Sequence, residues 1–332
     1  MDKVILQALG RARAKVRAHP CIGRSLSWLD EVHLRWALSR QAGKKDLACL
    51  ILMPGSLHLG LLALQHIGQY QNVILIANGL NAQEADIAGK AGNKNIIFLR
   101  TLLRHDIIID SLVHSLHEPF WIVDHDCYLL NGSFFNKNTS EPFTAAGRAV
   151  FAFHNERLNT FVPETFLIQL NPGALRKVSK HFSVTAKLYR HEELPDNARR
   201  LLETAGWNAR NYPEPHKSYY DTLRVLALLC PFLDLSFQIS PGYSTRCEIH
   251  DEVVHIGNTS RPQWVVDPSF YNAIGAYFWK FSLGEREDIK HLEPYQNRNR
   301  HLPSLDHMRT RLLEAGCSPA LLNRLELIAK GH

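Results

Sequence analysis

The sequence has no CxxC pair, and its six cysteines (Cys21, Cys49, Cys127, Cys230, Cys247 and Cys317) stand far apart. That spacing argues against a zinc site and against a disulfide framework. Several of them lie in apolar runs such as DLACLIL and LALLCPF, so buried free thiols in a reducing compartment are expected. Uninterrupted apolar runs of about 18 residues are also missing, which speaks against a transmembrane helix. The opening MDKVILQALGRARAKVRAHP has too short an apolar stretch, and too many cations after it, to read as a secretory signal. There is no internal repeat and no low-complexity segment, so disorder is not expected over any long stretch.

What is present suits a folded α/β protein. With 332 residues, 45% hydrophobic and 21% charged, the chain is long enough for one large domain or two smaller ones with a sizeable core. The formal charge of +6 and the pI near 9.0 come from scattered residues and suit a mildly basic surface or an anionic partner. Eighteen histidines add charge in acid but mark no site by themselves.

Residues 1–46 mix cations with apolar residues at helical spacing (Trp28, Leu29, Val32, Trp36) and predict a helical N-terminal extension. From residue 47 onward, short apolar runs alternate with helical stretches. LACLILM (47–53) ends at Pro54-Gly55 and is followed by SLHLGLLALQHIGQY; NVILIAN (72–78) is closed by Gly79; then come NIIFLR (95–100), a helix near 105–117 and FWIV (120–123). This rhythm predicts βαβ units and a mostly parallel sheet covered on both faces. Residues 47–130 therefore read as a nucleotide-binding α/β half, and 131–268 as a looser, mixed second half of the same domain. Within it, GRAVFAF and FVPETFLIQL suit strands, 173–206 suits helix, and TLRVLALLC (222–230) suits a helix with Asp221 at its N-cap. Residues 269–332 read as a helical C-terminal extension that closes with two amphipathic helices.

FWIVDHDCY (120–128) runs an apolar strand straight into two carboxylates, although two such charges so close together oppose each other's ionisation. Ligands of open α/β sheets bind beyond the carboxyl ends of strands, where Asp124 and Asp126 stand. In an extended backbone the two acids face one side and His125 the other. A divalent cation with hard oxygen ligands, Mg2+ or Mn2+, would relieve the repulsion and leave positions open for substrate phosphates.

Over about residues 47–130 the chain resembles the GT-A nucleotide-sugar glycosyltransferases, particularly their inverting bacterial group. The segments that carry the resemblance are LILMPGSLHLGLLALQHIG, ILIANGLNAQEADIAGKAGNKNIIFLR and FWIVDHDCYLL, the last being similar to the strand that delivers the DxD motif. The resemblance implies a GT-A fold with a mixed acceptor-side half, and transfer of a sugar from a UDP- or GDP-sugar to a hydroxyl acceptor with inversion. It places Asp124 near the donor ribose or the metal and Asp126 on the metal. The turns at Pro54, Gly55 and Ser56 and at Asn78 and Gly79 would hold the nucleoside. Many relatives have aspartate where Asn78 stands, so the base contact and the identity of the nucleotide stay open. His255 in VVHIGNTS is similar to the late histidine that completes the metal site in many of these enzymes. Their base is a downstream carboxylate, a place that Asp221 fits, with Glu156, Glu164 and Asp251 competing for it. Arg246, Arg261 and Lys217 are candidate diphosphate contacts, and the aromatic stretch SFYNAIGAYFWKF (269–281) suits core packing.

The expected setting is the cytoplasm or the inner face of the membrane. The expected partners are a sugar nucleotide and a glycan, lipid-linked or protein acceptor, without nucleic acid; the sequence is silent on oligomeric state. Three other readings remain. A sugar-phosphate nucleotidyltransferase would share the nucleotide-binding half, but MPGSLHLG lacks the basic residue its phosphate loop usually carries. A metal phosphohydrolase would use His105-Asp106, His125-Asp126 and His250-Asp251 on helices. A degenerate, non-enzymatic binding module is the third.

Overall fold

The structure is a computed structural model that describes residues 20–67, 72–91, 95–130, 145–214, 216–239, 253–257, 259, 262–265 and 271–332. Among these, a seven-stranded sheet forms the centre. In chain order it takes β1 (Leu47–Leu52), β2 (Asn72–Asn78), β3 (Ile96–Leu99), β4 (Phe120–Val123), β6 (Gly147–Ala149), β9 (Leu167–Leu170) and β10 (Phe237–Ile239). Their spatial order is β10-β6-β9-β4-β1-β2-β3, and every neighbouring pair is parallel except the two that involve β9. Two small antiparallel ribbons complete the strands: β5 (Cys127–Leu129) with β11 (Val253–His255), and β7 (Ala152–Asn155) with β8 (Thr160–Pro163).

The expected mostly parallel sheet flanked by helices is what forms. Strands β1 and β4, side by side at the centre, are apolar at every position because both faces are covered. Ala48, Leu50, Leu52, Leu75, Trp121 and Val123 point into one core, and Leu47, Cys49, Ile51, Ile74, Ile76 and Ile122 into the other. Helix α1 (Pro20–Ser39) sends Leu34 and Leu38 into the second core, beside α4 (His105–Ser115) and α5 (Pro172–Phe182). The first core is closed by α2 (Leu57–Ile67) and by C-terminal helices: α8 (Tyr271–Gly284), α10 (Leu305–Glu314) and α11 (Pro319–Ala329). The remaining helices are α3 (Ala82–Lys90), α6 (Asp196–Thr204), α7 (Arg224–Leu229) and α9 (Glu293–Asn299).

Three local expectations need correction. The helical stretch 173–206 is two helices, because the chain between them bonds elsewhere: Ala186 N–H donates to Asp110 and Leu188 N–H to Asp106. GRAVFAF splits into β6 and β7 in different sheets, with Val150 N–H donating to Leu167 between them. Helix α7 begins at Arg224, after Leu223 in the left-handed region at φ 67°, so Asp221 is not its N-cap; it instead accepts from Thr222 N–H at 2.7 Å. Cys49, Cys127, Cys230 and Cys317 are free thiols as expected, the first three buried. Of the aromatic stretch 269–281, Tyr277, Phe278 and Trp279 pack in the core.

Candidate functional site

The strand order reverses between β1 and β4, which run parallel side by side. Their carboxyl ends flank this switch point, the position at which open α/β sheets receive ligands in a crevice. The turn after β1 is Pro54–Ser56, and the turn after β4 is Asp124–Asp126.

The β4 turn is where sequence alternation fails. After Val123 the backbone stops being extended: Asp124 N–H donates to Phe166 O at 2.7 Å and Cys127 N–H returns to Asp124 O at 3.1 Å. His125 is therefore not turned away from the acids, as strand spacing predicted. Its Nδ1 lies 3.2 Å from Asp124 Oδ1, and its Nε2 lies 3.4 Å from Thr259 Oγ1. Possible ligand atoms of Asp124, His125 and Asp126 all lie within 4.8 Å of one another. His125 and Asp126 are buried, while the Asp124 side chain keeps 25% exposure, so the cluster reaches solvent through Asp124.

This arrangement answers the electrostatic question raised by FWIVDHDCY. Burial disfavours the charged form of each group, but the mixed signs outweigh it. The Asp126 carboxylate and the bond to Asp124 raise the His125 imidazole to about 9 against the pull of burial. The imidazole in turn, with His255 and the Thr259 hydroxyl, holds Asp126 below the usual carboxylate range despite burial, and Asp124 is lowered by its bond to His125.

The β5–β11 ribbon brings in the distant histidine. His255 stands opposite Cys127, and Ile256 N–H donates to Asp126 O at 3.1 Å. His255 stacks on Phe166 at 3.8 Å between ring centres, which fixes the imidazole plane. Its Nε2 is 3.5 Å from Asp126 Oδ1, too long for a well-made hydrogen bond. Asp126 Oδ1 and His255 Nδ1 are both buried without a hydrogen-bond partner, whereas Asp126 Oδ2 accepts from Thr259 Oγ1 at 2.7 Å. Unpaired buried polar atoms are costly. An orphaned carboxylate oxygen facing an imidazole nitrogen is a donor set that fits a divalent cation.

The β1 turn is clamped by residues to which sequence reading assigned no role. Gly55, at φ 69°, donates its N–H to Glu84 Oε1 at 2.7 Å, and its carbonyl accepts from Trp279 Nε1 at 3.1 Å and Arg298 Nη1 at 2.8 Å. Tyr295 donates to Glu84 at 2.8 Å and receives Leu57 N–H at 2.9 Å. Glu84 is also the third helical residue of the capping box opened by Asn81, a pattern visible in NAQE. The positive charge of Arg298 bears on both His125 and His58. No local sequence signal connects Trp279, Tyr295 or Arg298 to a turn more than 200 positions earlier.

The other residues singled out from sequence fall as follows. Pro54 and Gly79 are half-buried, whereas Gly55, Ser56 and Asn78 are buried. Both ends of the Asn78 amide are engaged by the Leu103 backbone, at 2.8 and 2.9 Å. Glu156 is exposed at the β7–β8 hairpin. Glu164 and Asp221 belong to a second charged group: Arg224 binds Glu164 and Glu214, and Lys217 lies 2.5 Å from Asp221 and 3.4 Å from Glu214. Burial works to raise the Asp221 carboxyl, but Lys217 outweighs it and holds it low. Asp251, Arg246, Arg261 and the His250-Asp251 pair lie outside the described residues. Asp106 lies apart from the cluster, tied to Arg104 and to Leu188 N–H.

Residues 30–175 match the model of the StrH glycosyltransferase N-terminal domain. The match supports a glycosyltransferase-like family. The matched span runs from within α1 into α5 and includes both crevice turns, but not His255, Thr259 or Arg298. No curated protein matches the chain. Among solved structures, the 4-diphosphocytidyl-2C-methyl-D-erythritol synthase of Anaerococcus prevotii aligns with a TM-score of 0.34 at 10% identity, over 60% of this chain and 88% of that one. That likeness is too loose to bear on the activity here. No helix among the described residues is long and apolar enough to cross a membrane.

Proposed function

We propose that this protein is a metal-dependent glycosyltransferase of GT-A type, moving a sugar from a nucleotide-diphosphate sugar to a hydroxyl acceptor. The observation that carries the reading is the orphaned Asp126 Oδ1, buried at the carboxyl end of β4 and facing His255 Nε2 at 3.5 Å. Asp124, Asp126 and His255 would hold Mn2+ or Mg2+, with Thr259 fixing the carboxylate of Asp126. The cation would neutralise charge on the leaving diphosphate. The glycosyltransferase-domain match over the crevice supports transfer of a sugar.

The donor nucleoside is proposed to lie along the half-buried Pro54 and Gly79, with Asp124 at the solvent-facing edge of the cluster. The buried Gly55, Ser56 and Asn78 would shape that surface from beneath rather than offer polar atoms to it. Inversion needs a base on the acceptor side, for which Asp221, Glu164 and Glu156 remain the candidates.

Thermal shift of the whole chain with UDP and GDP, with and without Mn2+, tests this reading. Nucleotide protection should require Mn2+ in the wild type and disappear in Asp126→Asn, which keeps an acceptor for Thr259. Undiminished Mn2+-dependent protection in Asp126→Asn would sink the metal assignment.

A further inference from the structure

The site uses nothing from the outward face of α1, and that face is unusual. Trp28 is 63% exposed, Leu29 50%, Val32 46% and Trp36 53%. Positions 28, 29, 32 and 36 share one side of a helix, and the two indoles stand about 12 Å apart along it. The opposite side of the same helix buries Leu34 and Leu38 in the core, so exposure here is not a consequence of a loosely held segment. On the inward side, Asp30 is fastened by the Thr101 N–H and Oγ1, both at 2.7 Å, which holds the helix in place.

The outward stripe carries no acid. Asp30 is buried against Thr101, and Glu31 is paired with Arg35 at 2.9 Å on the flank that faces Asp110. Cations do border it: the Arg40 guanidinium lies over the Trp36 ring at 4.1 Å, and Lys44 and Lys45 are exposed just beyond the helix. The charge of the chain is correspondingly uneven. Residues 1–46 hold ten Lys and Arg against Asp2, Asp30, Glu31 and Asp46, a surplus of six in a chain whose total is +6.

We propose that this face of α1 docks on an anionic lipid surface. Indoles separated by aliphatic side chains, with cations at the rim, match a bilayer interface, where Trp sits at headgroup level and Lys and Arg meet lipid phosphates. A second copy of the chain is the wrong occupant on charge grounds. A twofold contact would set the patch against itself and bring two cationic segments together. Nucleic acid would satisfy the cations but offer nothing to bury Leu29 and Val32. The inference stands independently of the sugar-transfer reading.

Vesicle flotation of the full chain tests it, using phosphatidylcholine alone and phosphatidylcholine with about one third phosphatidylglycerol, at low salt and at about 0.5 M. Binding should appear with the anionic vesicles, weaken in high salt, and fall at least about tenfold in Trp28→Ser/Trp36→Ser. Lys44→Glu/Lys45→Glu should lose about fivefold for each cation removed, without touching the apolar stripe. Nucleotide protection in the metal-binding crevice should be the same in both variants as in the wild type. Failure to float with anionic vesicles, or full retention by the tryptophan variant, overturns the proposal. So does a lipid-free dimer that the tryptophan variant dissolves, or a preference for duplex DNA over the vesicles.

Discussion

Lowering the pH from 7.5 to 5 should destabilise this protein through one buried histidine, His58 on α2. Its Nε2–H donates to the Trp279 carbonyl at 3.2 Å, so the proton-free nitrogen is Nδ1, which is buried and has no partner. The ring packs edge-on against Trp279 and Tyr295 at 5.4 and 5.5 Å. Protonation would place a charge and an unsatisfied donor among aromatic rings. Burial accordingly lowers the imidazole to about 3, the bond to Trp279 resisting and the charges of Arg286, His125 and Arg298 adding to the fall.

The folded-state value lies below the unfolded value of about 6.5, so the unfolded chain takes up the proton first as pH falls. The contribution of His58 is therefore intact above about pH 6.5 and lost progressively toward pH 3. At pH 5 the unfolded state gains about 1.5 pH units of binding advantage, or about 2 kcal/mol. Urea unfolding of wild type and His58→Gln at several pH values isolates this term, since glutamine retains a donor for Trp279 but does not titrate. The carboxylates contribute equally to both proteins. The wild type should lose about 2 kcal/mol more than the variant between pH 7.5 and pH 5. Parallel stability curves would refute the reasoning, because they would mean that the folded protein protonates Nδ1 at ordinary cost.

Three further substitutions probe the β1 turn and the base candidates. Gly55→Ala puts a Cβ 2.6 Å from the Arg298 guanidinium carbon on a backbone at φ 69°, and should cost about 1–3 kcal/mol in thermal unfolding; an unchanged melting temperature would mean that Arg298 does not clamp this turn. Asp221→Asn and Glu164→Gln should separate the base candidates: the true base loses acceptor-dependent turnover by about a hundredfold or more with Mn2+-dependent nucleotide protection intact, and loss of protection in either variant assigns that residue to the donor side.

Much of the sheet was legible because its signal is local. The runs of β1, β2 and β4 are apolar throughout and bounded by Gly, Pro, Asn or Asp, and the structure makes strands of them. Asp124 and Asp126 could be singled out from residue type and position, and they cluster with His125, while His255, named through the resemblance, comes within 3.5 Å of Asp126. The orientation of His125 was not legible, because strand alternation holds only while the backbone stays extended and the chain turns at Asp124. The start of α7 was misplaced for a similar reason: a left-handed leucine at 223 has no sequence signature. The partners of the β1 turn were out of reach altogether. Glu84 is spelled as an ordinary capping glutamate, and only the packing of α8 and α9 over α2 shows that it also holds Gly55 and Tyr295.

That packing bears on how much of the chain the site requires. The span resembling the StrH glycosyltransferase N-terminal domain supplies both crevice turns and the two carboxylates. On its own it would leave Asp126 without Thr259 and His255, and the Gly55 carbonyl without Trp279 and Arg298. It would also expose Ala63, Leu75, Trp121 and their neighbours, whose core is completed by Tyr277, Met308, Leu312 and Leu325. Uncovering so much apolar surface costs far more than the few kcal/mol by which a domain is stable. The C-terminal helices are thus a condition of folding for the matched span as well as a source of side chains for the crevice.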